Sequence, residues 1–149
     1  MAKFKFRLAT LLRLRESARD ERRTLLAQAY RAEDLILEER QRIEAERAAL
    51  ERQIRDAAGP GEIEVDRLLE AQRFELVLRT QKEQLARQHE QVKAEIERRR
   101  QALVEANREV QVLEKLREKQ HQRWRDEEDR REVKRLDEVG QRRALGEVH

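Results

Sequence analysis

The sequence contains no cysteine, one proline and four glycines, and aromatic residues make up only 3% of it. Without cysteine, disulfides, thiolate nucleophiles and thiolate-bound metals are excluded. No apolar run approaches the roughly 20 residues that a membrane-spanning helix needs. Arg13 and Arg15 interrupt the apolar residues near the N-terminus, so this region lacks the continuous apolar stretch of a signal peptide. We therefore expect a cytoplasmic protein.

Charged side chains are abundant. They make up 45% of the 149 residues, and 35 basic and 32 acidic side chains leave a net charge of only +3. Such mixing of signs is typical of a solvated helix surface, whereas a dedicated nucleic-acid-binding protein shows a one-sided excess. The composition indicates either disorder or a long coiled coil, and the periodicity of the apolar residues decides between them.

Apolar residues recur in alternating steps of four and three through the first part of the chain. The apolar members of this series are Phe4, Leu8, Leu11, Ala18, Leu25, Ala29, Ala32, Ile36, Ile43 and Leu50. A disordered chain would not keep this phase over about seven heptads. Arg15, Arg22, Glu39 and Glu46 interrupt the series. The pattern therefore predicts a long helix with a thin core, since long charged side chains can reach solvent from such positions.

The second part of the chain has the same period. Two complementary ladders contain Leu78, Leu85, Val92, Ala106 and Leu113, and Ile96, Leu103, Val110 and Trp124. A later group, Val133, Leu136 and Val139, is out of phase with both ladders. This change of phase predicts a stutter or a change of partner near residues 125–130.

The helix-breaking residues concentrate in the segment IRDAAGPGEIE at 54–64. Proline cannot continue a helix, and glycine adopts the positive φ of a tight reversal. Two glycines around a proline disfavour the alternative, a kink in one continuous helix. We therefore predict an all-α fold, a long two-helix antiparallel coiled-coil hairpin with unequal arms. Its predicted parts are helix one over 1–57, a turn over 58–62, helix two over 63–140 and a disordered tail over 141–149.

The predicted arms differ in length. A reversal near residues 59–60 places Phe4 beside approximately Lys115, so helix two should overhang from about residue 116. The overhang would have no partner within the chain, and Trp124 inside it is expected to pack against another molecule.

The sequence offers no constellation for catalysis or for a cofactor. His89, His121 and His149 are not spaced as metal ligands, and GPG at 59–61 lacks the lysine and hydroxyl of a nucleotide-binding loop. The carboxylates lie on exposed helices without a pocket that would shift their pKa values. We therefore expect neither an enzyme nor a bound metal or cofactor.

Two stretches have more than one interpretation. The segment LLEAQRFELVLRT at 68–80 contains too many apolar residues for a single coiled-coil stripe. It predicts either a locally thickened core or a docking patch for a partner. The basic N-terminal stretch, from Lys3 to Arg15, predicts a partly acidic protein partner or a solvated face, and less readily nucleic acid.

Both ends of the chain resemble one known family. KFRLATLLRLRE at 5–16 resembles the opening of the FliJ family of flagellar export proteins, and the run from Val112 to Val139 is similar to that family's C-terminal signature. The resemblance implies a stalk of the flagellar type III export apparatus that binds the hexameric export ATPase and the cytoplasmic domain of the membrane export gate. Export chaperones are further implied partners. The implied location is the cytoplasmic face of the inner membrane at the flagellar base.

The resemblance also implies site residues. The ATPase-binding set is Phe6, Leu8, Leu11, Arg13, Arg15, Leu116, Arg117, Trp124, Arg125 and Glu128. Phe74 and Leu78 match a pair of the family's gate-binding surface, whereas the helix-one stretch EERQRIEAER at 38–47 lacks the aromatic members of that surface. Alternative functions are the equivalent stalk of a virulence-type injectisome, or a basic coiled-coil scaffold or nucleic-acid-binding protein.

Overall fold

The computed structural model describes residues 2–59, 61 and 64–147, which form two helices. Helix α1 spans Ala9–Ala57 and helix α2 spans Val65–Glu147. No strand occurs in these described ranges. The helices pack antiparallel against each other, so the predicted all-α antiparallel coiled coil is confirmed. Pro60 and Glu62 of the predicted turn, and 148–149 of the predicted tail, lie outside the described residues.

The chain divides into two compact units. The turn unit is Arg22–Leu103, and the terminal unit combines Met1–Glu21 with Val104–His149. Each unit pairs one stretch of α1 with one stretch of α2 and has its own apolar core.

The core of the turn unit contains Ile43, Leu50 and Leu78, with Ile54, Ala71 and Leu85 packed around them. The heptad pattern predicted the burial of Ile43, Leu50 and Leu78, and this is confirmed. Polar contacts flank the seam. Lys82 Nζ lies 2.6 Å from Glu44 Oε1, and Arg99, which interrupts the ladder, donates a 2.6 Å hydrogen bond to the Leu25 carbonyl oxygen. Arg99 therefore occupies its seam position by bonding across to α1.

The core of the terminal unit contains Leu12, Val110 and Leu113, against which Phe6, Leu8 and Leu11 pack. Leu12 was not a member of the predicted series, which ran through Leu11; Leu12 is buried and Leu11 is half-buried. The start of α1 thus presents a face one residue away from the predicted one.

The first helix begins later than predicted. Residues 2–8 are not helical, and α1 starts at Ala9. Lys3, Lys5 and Arg7 would place positive charge at the positive end of the helix dipole, which disfavours an earlier start. No acidic residue lies in the first turn of α1 to offset this charge.

The second helix ends later than predicted, since the stretch 141–147 is helical instead of disordered. Gly140 and Gly146 lie inside α2, and a Cβ atom at either glycine would meet no neighbour within 4 Å. A glycine costs a helix roughly 1 kcal/mol relative to alanine, which the helix-forming Gln, Arg, Ala, Leu and Glu residues around it can offset. Before the start of α2, Gly61 has a φ of 155°. It is the one glycine of the described ranges with a positive φ.

Candidate partner-binding surfaces

An aromatic cluster lies in the terminal unit. The ring centroid of Phe4 is 5.0 Å from that of His121, edge-on, and 6.1 Å from that of Trp124. The rings of His121 and Trp124 stack 6.0 Å apart at an interplanar angle of 20°. His121 and Trp124 are three residues apart on α2 and therefore share a helix face. Sequence reasoning missed this cluster, although that spacing was its visible signal.

The cluster corrects the predicted overhang. Arg15 pairs with Glu109 at 3.2 Å. The midpoint of these two sequence numbers is 62, whereas the predicted centre of the reversal was 59–60. This register brings Phe4 to about residue 120. Residues 4–8 are not helical, and an extended chain advances about 3.3 Å per residue, against 1.5 Å in a helix. Phe4 therefore lies further along α2 than residue 120 and contacts Trp124. The overhang therefore does not begin at residue 116, and Trp124 packs within its own chain.

A cavity of about 310 Å³ opens beside the start of α1. The residues that line it are Phe4, Phe6, Ala9, Leu12, Arg13, Glu16 and Arg117. Four of the seven lining residues are apolar, and the guanidinium groups of Arg13 and Arg117 add positive charge from α1 and α2. Three predicted site residues, Phe6, Arg13 and Arg117, thus meet at one cavity, whereas no sequence pattern had pointed to Glu16 or Ala9.

The other predicted residues of the terminal unit lie outside this cavity. Leu8, Leu11 and Leu116 are half-buried. Arg15 is exposed and pairs with Glu109 at 3.2 Å, and Glu128 pairs with Arg131 at 3.3 Å. Arg125 is exposed, and Trp124 is half-buried in the aromatic cluster.

A second cavity lies in the turn unit and has a volume of about 760 Å³. Its lining consists of Leu50, Gln53, Ile54, Asp56 and Ala57 from α1 and Arg67, Leu68, Glu70, Ala71 and Phe74 from α2. Apolar side chains form much of it, with acidic and basic groups beside them. Such a groove fits an apolar segment that carries a few polar groups.

The predicted pair Phe74 and Leu78 occupies two different environments. Phe74 lines the groove and is 47% exposed, whereas Leu78 is 1% exposed in the core with Ile43 and Leu50. Leu76 and Val77 between them are also exposed. Within the segment 68–80, Leu78 belongs to the core, whereas Phe74 is available to a partner in the groove.

The electrostatics of the described residues are those of surface ion pairs. Hydrogen bonding and the charge of Lys82 lower the pKa of Glu44, and hydrogen bonds from Arg99 and Arg98 lower the pKa of Glu95. The carboxylate of Glu39 raises the pKa of Arg42. The described residues include no group of acidic residues or histidines that could hold a metal ion. Neither described helix is apolar enough over a sufficient length to cross a membrane.

These features define the class of an antiparallel two-helix coiled coil with a groove in each unit. The comparison with family models identifies the particular family: residues 4–148 match the model described as flagellar FliJ protein. The chain belongs to the FliJ family, a non-catalytic component of the flagellar type III protein export apparatus. Comparisons with curated proteins and with solved structures gave no match.

Proposed function

We propose that the chain is a non-enzymatic stalk that binds the hexameric export ATPase through its terminal unit and the export gate through its turn unit. The observation that carries this proposal is the cavity of the terminal unit, where Arg13 and Arg117 flank an apolar lining. We further propose that the chain acts in the cytoplasm at the flagellar base and that export chaperones are additional partners.

The chemistry of the terminal cavity favours a protein partner. Phe6, Ala9 and Leu12 offer apolar surface, and Arg13 and Arg117 offer planar guanidinium groups from two helices. Such a site accepts an apolar side chain next to a carboxylate, since guanidinium and carboxylate groups form strong paired hydrogen bonds. Nucleic acid is disfavoured here because Glu16 lines the same cavity and would repel phosphate.

ATP hydrolysis by the cognate export ATPase, titrated with this chain, tests the first contact. We expect stimulation, and we expect Arg13→Glu to raise the concentration needed for half-maximal stimulation about tenfold, which corresponds to the loss of one charge-assisted contact. Arg108→Glu is the matched control, because Arg108 pairs locally with Glu105 at 3.3 Å on the same helix and does not line the cavity. Absence of stimulation by the unmodified chain would contradict the proposal, as would equal loss in both variants.

The turn-unit groove supports the second contact. Phe74 is the exposed aromatic residue of its lining and offers a large apolar surface to a partner. We expect Leu78 to contribute indirectly, by holding α2 against α1 beneath Phe74. This refines the sequence-based pair to one contacting residue and one supporting residue.

Calorimetric titration with the isolated cytoplasmic domain of the gate tests this contact. We expect Phe74→Ala to weaken binding about tenfold or more, as for an aromatic residue central to an interface. Leu76→Ala is the control, because Leu76 is 62% exposed on the same helix but does not line the groove. Unchanged binding by the Phe74 variant would remove the groove from the gate interface.

A further inference from the structure

The C-terminal segment, residues 125–146 of α2, continues beyond the aromatic cluster of the terminal unit. Side chains from Asp129 to Gly146 are exposed. Val133, Leu136 and Val139 are 57%, 65% and 43% exposed. Charged residues surround these three apolar side chains, which form a stripe because they recur at steps of three along a helix.

This stripe lies on a different face of α2 from the seam of the terminal unit. The buried positions Val110 and Leu113, continued by heptads, reach Arg131 and Lys134. Val133 and Leu136 are each offset by two residues from that phase, which is about 200° around the helix. An extension of α1 along its present path would therefore not cover the stripe, which leaves it open to another molecule.

We propose that this partner is a second copy of the chain, with the two C-terminal segments packed antiparallel and Val133 opposite Leu136 of the partner subunit. In this register, heptad geometry places Asp126 opposite Arg143 of the partner subunit at each end of the contact. Arg130 then flanks Asp137 of the partner subunit. The two-fold axis repeats both ion pairs, so the segment is complementary in charge to itself.

The charges select the antiparallel arrangement over the parallel one. A parallel pair in register would place Asp126, Asp129 and Arg143 each opposite the same residue of the partner subunit. Like charges facing each other are destabilising, and no opposite charge would compensate them at these seam positions. Asp126 accepts a 3.1 Å hydrogen bond from Gln122, and its carboxylate retains acceptor sites for an arginine.

The dimer is expected to be weak and reversible. Two apolar side chains per copy, Val133 and Leu136, form the centre of a contact smaller than those of stable complexes, and small contacts of this kind are typical of transient association. We expect a dissociation constant of roughly 10⁻⁵ to 10⁻⁴ M, and weaker association at high salt because the flanking pairs are exposed.

Sedimentation equilibrium of the full chain over a concentration series tests the dimer. Asp126→Arg places arginine opposite Arg143 twice, so we expect at least about tenfold weaker dimerisation. Adding Arg143→Asp exchanges the two charges and should restore the original affinity. Glu127→Arg makes the same charge change beside the stripe and is the matched control. A chain that stays monomeric up to about 1 mM, or a dimer that ignores these charges, overturns the proposal and leaves the stripe to a different protein.

Cysteine crosslinking tests the orientation, and the natural chain has no cysteine to interfere. The proposed register places Asp129 opposite Gly140 of the partner subunit. A mixture of Asp129→Cys and Gly140→Cys chains should form a mixed disulfide faster than either variant alone. Faster crosslinking within the Asp129→Cys chain alone would indicate a parallel dimer and overturn the proposed arrangement.

Discussion

Replacing Leu78 with alanine should destabilise the turn unit strongly. Leu78 is 1% exposed and packs with Ile43 and Leu50. Removing three carbon atoms from a buried leucine costs about 0.8 kcal/mol for each methylene-sized group, and the cavity left behind adds to this loss. Because a two-helix core is one side-chain layer thick, neighbouring side chains and water can enter the space. We therefore expect about 2–3 kcal/mol, the low end of the range for buried leucines.

Urea unfolding followed by circular dichroism at the helix band measures this loss. With a slope of about 1–3 kcal/mol per M urea, the unfolding midpoint of the turn unit should fall by about 1–2 M. Leu76→Ala is the matched control, because it makes the same chemical change two residues away on a side chain that is 62% exposed. Its midpoint should shift by less than about 0.5 M, since exposed substitutions cost within about 0.5 kcal/mol.

Two results would refute the reasoning. Equal midpoints for the Leu78 and Leu76 variants would mean that the Ile43–Leu50–Leu78 cluster does not stabilise the turn unit. A Leu78 variant that unfolds normally but binds the gate domain less tightly would mean that Leu78 contacts the partner directly, as the sequence-based pairing with Phe74 predicted.

Two further predictions concern acid and the aromatic cluster. The pKa values of Glu44 and Glu95 are lowered in the fold. Their ion pairs therefore stabilise the fold at a pH above the ordinary glutamate pKa of about 4.5. This stabilisation is lost as the pH falls through the lowered pKa values. The double variant Glu44→Gln, Glu95→Gln should therefore lose less of its urea midpoint between pH 7 and pH 3 than the natural chain; an equal loss would contradict this. Phe4→Ala should shift the fluorescence of Trp124, the only tryptophan, to longer wavelength and increase its quenching by acrylamide, with little change in helicity; an unchanged spectrum would mean that Phe4 does not shield it.

The sequence predicted the core where the heptad phase is local. Ile43, Leu78 and Val110 lie on predicted ladders and are the most buried large side chains of the described residues. This succeeded because the identity of the core face of a helix depends only on spacings of three and four.

The pairing of the helices was harder to predict, because it depends on residues that make no periodic signal. An error of two or three residues in the centre of the reversal displaces every opposite pair by about twice that number. It placed Phe4 beside Lys115 instead of beside His121 and Trp124. The candidate sites suffered in the same way: the sequence named Arg13 and Arg117 separately, but only the fold brings them to one cavity.

The thin core has a consequence for how such a chain evolves. Nine side chains of the described part are buried hydrophobic residues, namely Leu12, Ala29, Ile43, Leu50, Leu78, Ile96, Ala106, Val110 and Leu113. Selection for folding acts on little more than these positions and their spacing, and substitutions elsewhere rarely change stability much. Divergent descendants of one ancestor should therefore keep the heptad spacing of their apolar residues after most other residues have been substituted. An exposed position that resists such exchange would reveal a binding partner.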